Sequence, residues 1–581
     1  MKQALLAALC LVLCSPLLSQ FYMRGEVRDD KGQLLAGVKI TLSSKSNTSY
    51  YSGNAGAFGI PSLLAIDTIN LELEGYESLK KAVQTTKYQS LVMKMLPGVS
   101  SFMKNSLTSR TKNLTVDKNS LPSVAGESYS YLVENEFVNA SQYPETGFAL
   151  NVDRASYSNT RRFLSNEMNV PPDAVRIEEM LNYFDFRDPK DTIRNKDFIC
   201  HTTLSTCPWN PATQLLFVHL DAPRLNLDKV PPSNLVFLID VSGSMERPNR
   251  LPLLQSAFKL LVENLRPIDT VSIVTYGGHV AVVLSSTGGA EKQKINNIID
   301  SLVADGDTPG EGAIRTAYSI AKRNFVANGN NRVILATDGD FNVGQSTEKE
   351  LEDLITLQRA SGIYLTCIGV GMGNYKDSKL EALAKKGNGN FAYLDNIREG
   401  EKVLVTEFTK TVYAVADDAS LNVSFDPAVV KDYRLIGFDN KKQAISDHTS
   451  ELEGGEIGSG HSVMAVFEIT PQKDVKADSS VFAKLNLQYR LPGTDSVLYR
   501  RFSVPYSVQP FDKADSSIRF ATSVVMFGSL LKKSKFTKND TYLDVLNLAR
   551  SASGKDNYLQ QEFITLVQKA EKIYNYKKKK K

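Results

Sequence analysis

Between residues 235 and 412 the chain alternates short apolar runs with amphipathic stretches, and this alternation restricts its folding more than any other feature. The apolar runs fall at 235–239, 271–276, 280–284, 333–336 and 364–370. Runs this short and this uniformly apolar suit strands buried on both faces. Between and after them lie segments 253–265, 295–302, 314–325, 349–360 and 379–386, whose apolar residues recur at helical spacing. In the first, Leu254, Ala257, Leu261 and Leu265 fall near one face. Strands that alternate with helices predict an α/β doubly wound (Rossmann-like) domain, an open and mostly parallel sheet with helices on both sides. Such sheets place ligands at the carboxyl ends of their strands, where the strand order reverses.

The chain has 581 residues, too many for one core, and length alone suggests about three to five domains. Hydrophobic residues make up 42% and charged residues 23%, which argues against general disorder. A net charge of +4 is too small to indicate nucleic acid. Residues 22–96 carry closely spaced turn signals, Asp29-Asp30-Lys31-Gly32, Gly53-Asn54-Ala55-Gly56 and Glu74-Gly75-Tyr76, separated by alternating segments such as Val38-Lys39-Ile40-Thr41-Leu42, and predict a β-sandwich. Residues 97–126, rich in Ser, Lys, Asn and Thr, read as a linker. Region 127–230 precedes the α/β domain at 231–415. It contains a helical stretch at 175–184 with Ile177, Met180, Leu181 and Phe184 on one face, which leaves Arg176 and Glu179 toward solvent. Region 416–575 is β-rich (421–425, 463–469, 482–489, 502–508) and then helical (516–531, 542–572). Residues 576–581 form a basic tail, read as solvated.

At the front, Lys2 precedes an apolar run through Leu18 that is too short to span a bilayer securely, the pattern of a signal peptide over 1–19. The expected location is the periplasm or the outer surface. Leu9 and Leu13 stand before Cys10 and Cys14 where a lipid-anchor signal carries a small residue, so no lipid anchor is expected. No later stretch has the length and apolarity of a transmembrane helix. Cys200 and Cys207 are close enough in sequence that they could form a disulfide in an oxidising compartment, and Cys367, inside an apolar strand, is expected to be a buried thiol. Zinc on Cys200, His201 and Cys207 lacks a fourth ligand nearby and fits no common spacing.

Three stretches at predicted strand or helix ends carry clustered oxygen donors. Val236-Phe237-Leu238-Ile239-Asp240-Val241-Ser242-Gly243-Ser244-Met245 ends a strand in Asp-x-Ser-x-Ser. Asp305-Gly306-Asp307-Thr308-Pro309-Gly310 offers the Thr308 hydroxyl before a helix, and Val333-Ile334-Leu335-Ala336-Thr337-Asp338 ends a second strand in a carboxylate. Three oxygen side chains at alternate positions on a tight turn can converge on a hard cation such as Mg2+ or Mn2+. For one motif alone, a helix-capping turn of Asp and Ser explains the residues equally well.

Together, in this order and at these separations, the stretches resemble the three metal-binding loops of the von Willebrand factor type A family, whose metal-ion-dependent adhesion site binds a partner protein. The resemblance implies that Ser242, Ser244 and Thr308 touch the ion directly and that Asp240 and Asp338 act through water. It also implies that an acidic residue of the partner fills the last position. Residues 22–96 resemble the carboxypeptidase-regulatory-like domain, through Gly25-Glu26-Val27, Gly37-Val38, Gly56-Ala57-Phe58 and Gly75-Tyr76; Asn54 stands where that family often has Asp. Residues 127–189 and 418–469 resemble the flanks of an exported bacterial family of type A domain proteins. The matching runs include Asn151-Val152-Asp153-Arg154-Ala155-Ser156-Tyr157-Ser158-Asn159 and Gly455-Glu456-Ile457-Gly458-Ser459-Gly460-His461. Glu451 and Glu453 replace the Asp that relatives often carry.

These features lead to an expectation of an exported, metal-dependent adhesion or scaffold protein of the cell envelope, with no catalytic residues. The alternatives are a structural envelope protein with a purely stabilising metal, and a hydrolase. Against catalysis, Ser242 stands where haloacid-type phosphatases need a second Asp. Neither Ser242 nor Ser244 has Gly-x-Ser-x-Gly flanks, and His201, His219, His279, His448 and His461 lie in no metalloprotease motif. His461, beside glycines, is expected at the surface of a hairpin turn.

Overall fold

The computed structural model describes residues 21–94, 127, 129, 134–187, 197–225, 230–306, 310–339, 348–372, 377–407, 413–438, 455–475 and 481–578, short internal gaps aside. The expected signal peptide, the linker at 97–126, Thr308, Glu451, Glu453 and the last three lysines lie outside the described residues. The chain divides into two units, residues 1–108 and 109–581.

The first unit is the predicted two-layer β structure. One sheet orders Ala57–Ser62, Phe21–Asp29 and Gln89–Met93; the other orders Lys45–Tyr51, Lys39–Leu42, Ile66–Glu72 and Leu79–Gln84. Alternation along Ile66–Glu72 turns Ile69 and Leu71 inward, where they join Val27, Ile40, Leu42, Ile60 and Met93 in one core.

The second unit holds the α/β domain. Its elements are β1 (Ser233–Asp240), α1 (Leu251–Glu263), β2 (Thr270–Gly277), β3 (His279–Gly288), α2 (Lys292–Asp300), α3 (Gly310–Arg323), β4 (Asn330–Thr337), α4 (Glu348–Ala360), β5 (Ile363–Val370), α5 (Asp377–Lys386) and β6 (Phe391–Leu394). The sheet order is β3-β2-β1-β4-β5-β6, parallel throughout except for the β2–β3 hairpin. Every residue of β1 is buried. Leu254, Ala257, Phe258 and Leu261 of α1 cover one face of the sheet, and Ile314, Ala317, Tyr318 and Ala321 of α3 cover the other. The strand order reverses between β1 and β4, which opens a crevice at their carboxyl ends.

The segments on either side of this domain build one body together. A six-stranded sheet orders Val508–Gln509, Ile199–Thr206, Gln214–Asp221, Ser462–Pro471, Val430–Ile436 and Val138–Asn139, so three strands from before the α/β domain intermingle with three from after it. A second sheet is centred on Ala414–Phe425, which pairs with Glu145–Ala149. Leu216, Val218, Phe467, Leu421 and Leu485 pack between the two sheets. Helices Ser516–Lys532, Tyr542–Ala552 and Tyr558–Lys578 close over the outer face of the first sheet around Phe184, Phe217, Phe520, Phe527 and Phe563.

Three expectations are corrected. Cys200 and Cys207 are free. They lie on and just past one extended strand, roughly 20 Å apart along the chain, whereas a disulfide needs Cα atoms within about 7 Å. Their odd spacing also sends Cys200 into the core between the sheets and Cys207 into the core under the helices. Burial pushes both thiols up to about 12. Arg176 and Glu179 are each 3% exposed rather than solvated, because Arg176 turns into the α/β domain and meets Asp377 and Glu381 at 2.8 Å. His461 is 8% exposed, because its turn is folded against Ala222 and Pro223. Cys367 is fully buried, as its apolar strand predicts.

Candidate functional site

The site lies at the crevice where β1 and β4 end. Asp240 is the last residue of β1, and Thr337 and Asp338 end and follow β4. The turn after β1 is laced to its neighbours by backbone bonds: Val241 N donates to Tyr276 O at 2.8 Å, Asp305 N to Val241 O at 2.7 Å and Gly243 N to Gly306 O at 2.9 Å. Such close approach requires residues without Cβ. A Cβ on Gly277 would lie 2.6 Å from the Val241 carbonyl carbon, and Gly306 adopts φ +74° against Gly278.

Within this frame the oxygens form a chain. Ser242 donates from N and Oγ to Asp240 Oδ1 at 2.9 and 2.7 Å. Ser242 Oγ and Ser244 Oγ lie 3.2 Å apart, and Ser244 Oγ donates to Asp338 Oδ2 at 2.8 Å. Thr337 Oγ1 donates to Asp240 Oδ2 at 2.8 Å. Ser242 directly precedes a short helix, Gly243–Glu246, yet its side chain makes no capping bond to it. The capping-turn alternative therefore does not explain Ser242, whose hydroxyl faces the carboxylate. These oxygens, 2.7–3.2 Å apart, are bridged by hydrogen bonds and lie close enough together to share one ligand. The donor set, neutral hydroxyls and two carboxylates, could hold a hard cation.

Asp240 is 0% exposed. Burial pushes its carboxyl up to about 6, further raised by the charge of Asp338 and opposed by the bonds from Ser242 and Thr337. Of the five residues singled out from the sequence, Asp240, Ser242, Ser244 and Asp338 come together here. Thr308 is outside the described residues; Asp305 and Gly306, before it in the chain, bond to Val241 and Gly243.

Two residues at the site escaped the sequence reading. Thr337 orients Asp240; its only signal is its place at the end of β4, directly before Asp338. Arg250, at the start of α1, ion-pairs with Asp338 Oδ2, and its Nη1 also donates to Ser244 O at 2.6 Å. Nothing in the local sequence marks it apart from the other arginines of the chain.

The comparisons with known proteins agree with this geometry at the level of the fold. A family model of the von Willebrand factor type A domain matches residues 234–405, and one described as von Willebrand factor matches 123–217. The Uncharacterized protein YfbK of Escherichia coli (strain K12) is 36% identical over 471 residues, 77% of this chain and 81% of that protein. The chain belongs to the YfbK family. The model described as Uncharacterized protein YfbK, C-terminal, matches residues 410–573. Inter-alpha-trypsin inhibitor heavy chain H2 of Mesocricetus auratus is 26% identical over 234 residues, 39% of this chain and 24% of that protein. The solved von Willebrand factor type A from Catenulispora acidiphila aligns at TM-score 0.39 and 14% identity over 61% of this chain and 87% of that one.

In this YfbK-family chain the run from Asn151 to Asn159 docks the preceding segment onto the type A domain. Asp153 Oδ1 accepts from Phe391 N at 2.8 Å, and Asn159 Nδ2 donates to Asp377 Oδ1 at 3.2 Å. Three residues on, Arg162 is bound by Glu127 at 2.8 Å and reaches Gly371 O at 3.5 Å. Among the described residues no helix is long and apolar enough to cross a membrane.

Proposed function

We propose that this protein is an exported, divalent-metal-dependent adhesion or scaffold protein of the cell envelope that holds an acidic residue of a partner protein at the type A domain crevice. The observation that carries this reading is the chain of oxygens from Asp240 through Ser242 and Ser244 to Asp338, spaced at 2.7–3.2 Å. Ser242 and Ser244, with Thr308 from the second loop, would hold Mg2+ or Mn2+ through neutral hydroxyls, and Asp240 and Asp338 would supply charge. A bound ion would supply a Lewis-acidic position open to an outside carboxylate. Thr337 holds Asp240 Oδ2, so the other oxygen of that carboxylate stays turned toward Ser242. With Asp240 and Asp338 acting through water, the direct protein ligands would be neutral hydroxyls, which would leave the ion Lewis-acidic toward an outside carboxylate. The short helix Gly243–Glu246 and the tip of the β2–β3 hairpin rim the crevice and would contact the partner around the ion.

Calorimetric titration with magnesium tests the site. Heat of binding in the wild type should vanish in Asp240→Ala and weaken in Ser244→Ala; heat that survives unchanged in Asp240→Ala removes the ion from this crevice. Affinity capture from envelope extract, with and without EDTA, tests the function. Capture of a partner that EDTA abolishes, in a protein that stays folded, supports metal-bridged binding. Capture insensitive to EDTA alongside intact magnesium heat favours the purely stabilising metal.

A further inference from the structure

Arg250 occupies a seat between the crevice and the loop after β5. Its side chain is 7% exposed. Nη1 donates to Asp338 Oδ2 and to Ser244 O, and Nη2 donates to Met372 O at 3.0 Å. The seat is cut to fit: a Cβ on Gly371, at φ +82°, would lie 2.6 Å from Arg250 Nε. The Gly371 carbonyl is fixed in turn by the Tyr393 hydroxyl and faces Arg162 of the flanking segment. One guanidinium thus pins the loop after β1, the loop after β4 and the loop after β5.

The atom it takes is decisive. Asp338 Oδ2 accepts both Ser244 Oγ and Arg250 Nη1, which uses its two lone pairs. A cation, or a water held by one, that engages this oxygen must displace a donor. Ser244 can turn its hydroxyl proton elsewhere and offer a lone pair. Arg250 can do neither, since a guanidinium keeps its protons and has no acceptor. Its positive charge also opposes a divalent ion nearby.

Resting on the metal reading above, we propose that Arg250 is a built-in competitor for the divalent ion. It holds Asp338 while the ion is absent, keeps the crevice formed, and sets the affinity low, so that occupancy follows the free ion concentration. The loop after β5, through Gly371 and Met372, holds Arg250 in place, and Arg162 of the flanking segment reaches the Gly371 carbonyl.

The test is magnesium calorimetry on the full chain with Arg250→Met and Arg250→Lys, beside thermal unfolding in EDTA and in saturating magnesium. Arg250→Met should bind magnesium about tenfold more tightly, unfold at lower temperature than wild type in EDTA, and gain more from magnesium than wild type does. Arg250→Lys keeps the charge but loses the fork, and should bind about threefold more tightly than wild type. Should Arg250→Met fail to fold, Arg250→Lys decides. A variant that folds and binds no more tightly than wild type overturns the proposal. A loss of stability from a purely structural arginine would leave the magnesium-induced gain unchanged. Wild-type protein that binds no magnesium would instead strike the metal reading on which this rests.

Discussion

Arg176 and Asp377 form a buried ion pair at 2.8 Å that ties the segment before the type A domain to helix α5 within it. Glu381 lies at 2.8 Å and Glu179 at 3.4 Å from the same guanidinium. Asp153, Glu179 and Glu381 converge within 4.8 Å of one another, so Arg176 offsets a crowd of carboxylates rather than a single partner. Removing one side of a buried pair leaves uncompensated charge, at a cost of about 3–5 kcal/mol. Arg176→Met should therefore destabilise the second unit by that order in urea unfolding, with little change in the N-terminal unit. A loss under about 1 kcal/mol would show that the network is dispensable.

Gly277 allows the loop after β1 to lie against β2. In Gly277→Ala the new Cβ would meet Val241 C at 2.6 Å, Val241 O at 2.7 Å and Asp305 O at 2.8 Å, all backbone atoms that cannot rotate away. The expected cost is about 1–3 kcal/mol. Because the strain falls on the first two loops, magnesium affinity should also drop. Thermal unfolding and calorimetry on the same sample check both; normal stability with normal affinity would contradict the close approach.

Glu456 sits against Arg332 at 2.8 Å, where a strand of the flanking body meets β4. Burial outweighs the attraction of Arg332 and pushes the Glu456 carboxyl up to about 7. In the unfolded chain its pKa is about 4.3. Between those values the folded protein holds a proton that the unfolded chain has released. Stability should thus fall as pH rises from about 4.3 to 7 and level off above. Glu456→Gln should remove this part of the slope in unfolding measured from pH 4 to 8. An identical slope in the variant would assign it to other groups.

Thiol labelling checks the placement of the cysteines. Protein beginning at residue 21, unfolded without reductant, should label at Cys200, Cys207 and Cys367. While folded, it should resist labelling at Cys367, whose side chain is 0% exposed. Labelling of Cys367 alone after unfolding would restore a Cys200–Cys207 bridge.

Much of the type A domain was legible in the sequence because its signals are local. A strand such as Val236–Ile239, apolar at every position, has few fates other than a doubly covered sheet. Asp240, Ser242 and Ser244 lie within five residues, so one turn brings them together. The sequence could also bring Asp338 to the same crevice, because a doubly wound sheet has one reversal and both carboxylates end strands beside it.

What the sequence could not show was everything set by partners far along the chain. Arg176 read as solvated because its helix alone gives it no carboxylate within reach except Glu179; Asp377 and Glu381 arrive from about two hundred residues away. The two flanks read as separate regions, yet Gln214–Asp221 pairs with Ser462–Pro471 across the whole type A domain. Cys200 and Cys207 read as a pair until the strand between them fixed their distance and their opposite faces. Arg250 gained its meaning only when Asp338 and Met372 closed on it. Periodicity and short-range motifs determined the strands, the helices and the Asp-x-Ser-x-Ser loop after β1, because those depend on neighbours within one or two turns of chain. Ion pairs, strand partners and the company kept by each buried charge were decided by the tertiary structure, because they depend on which distant segments share a face.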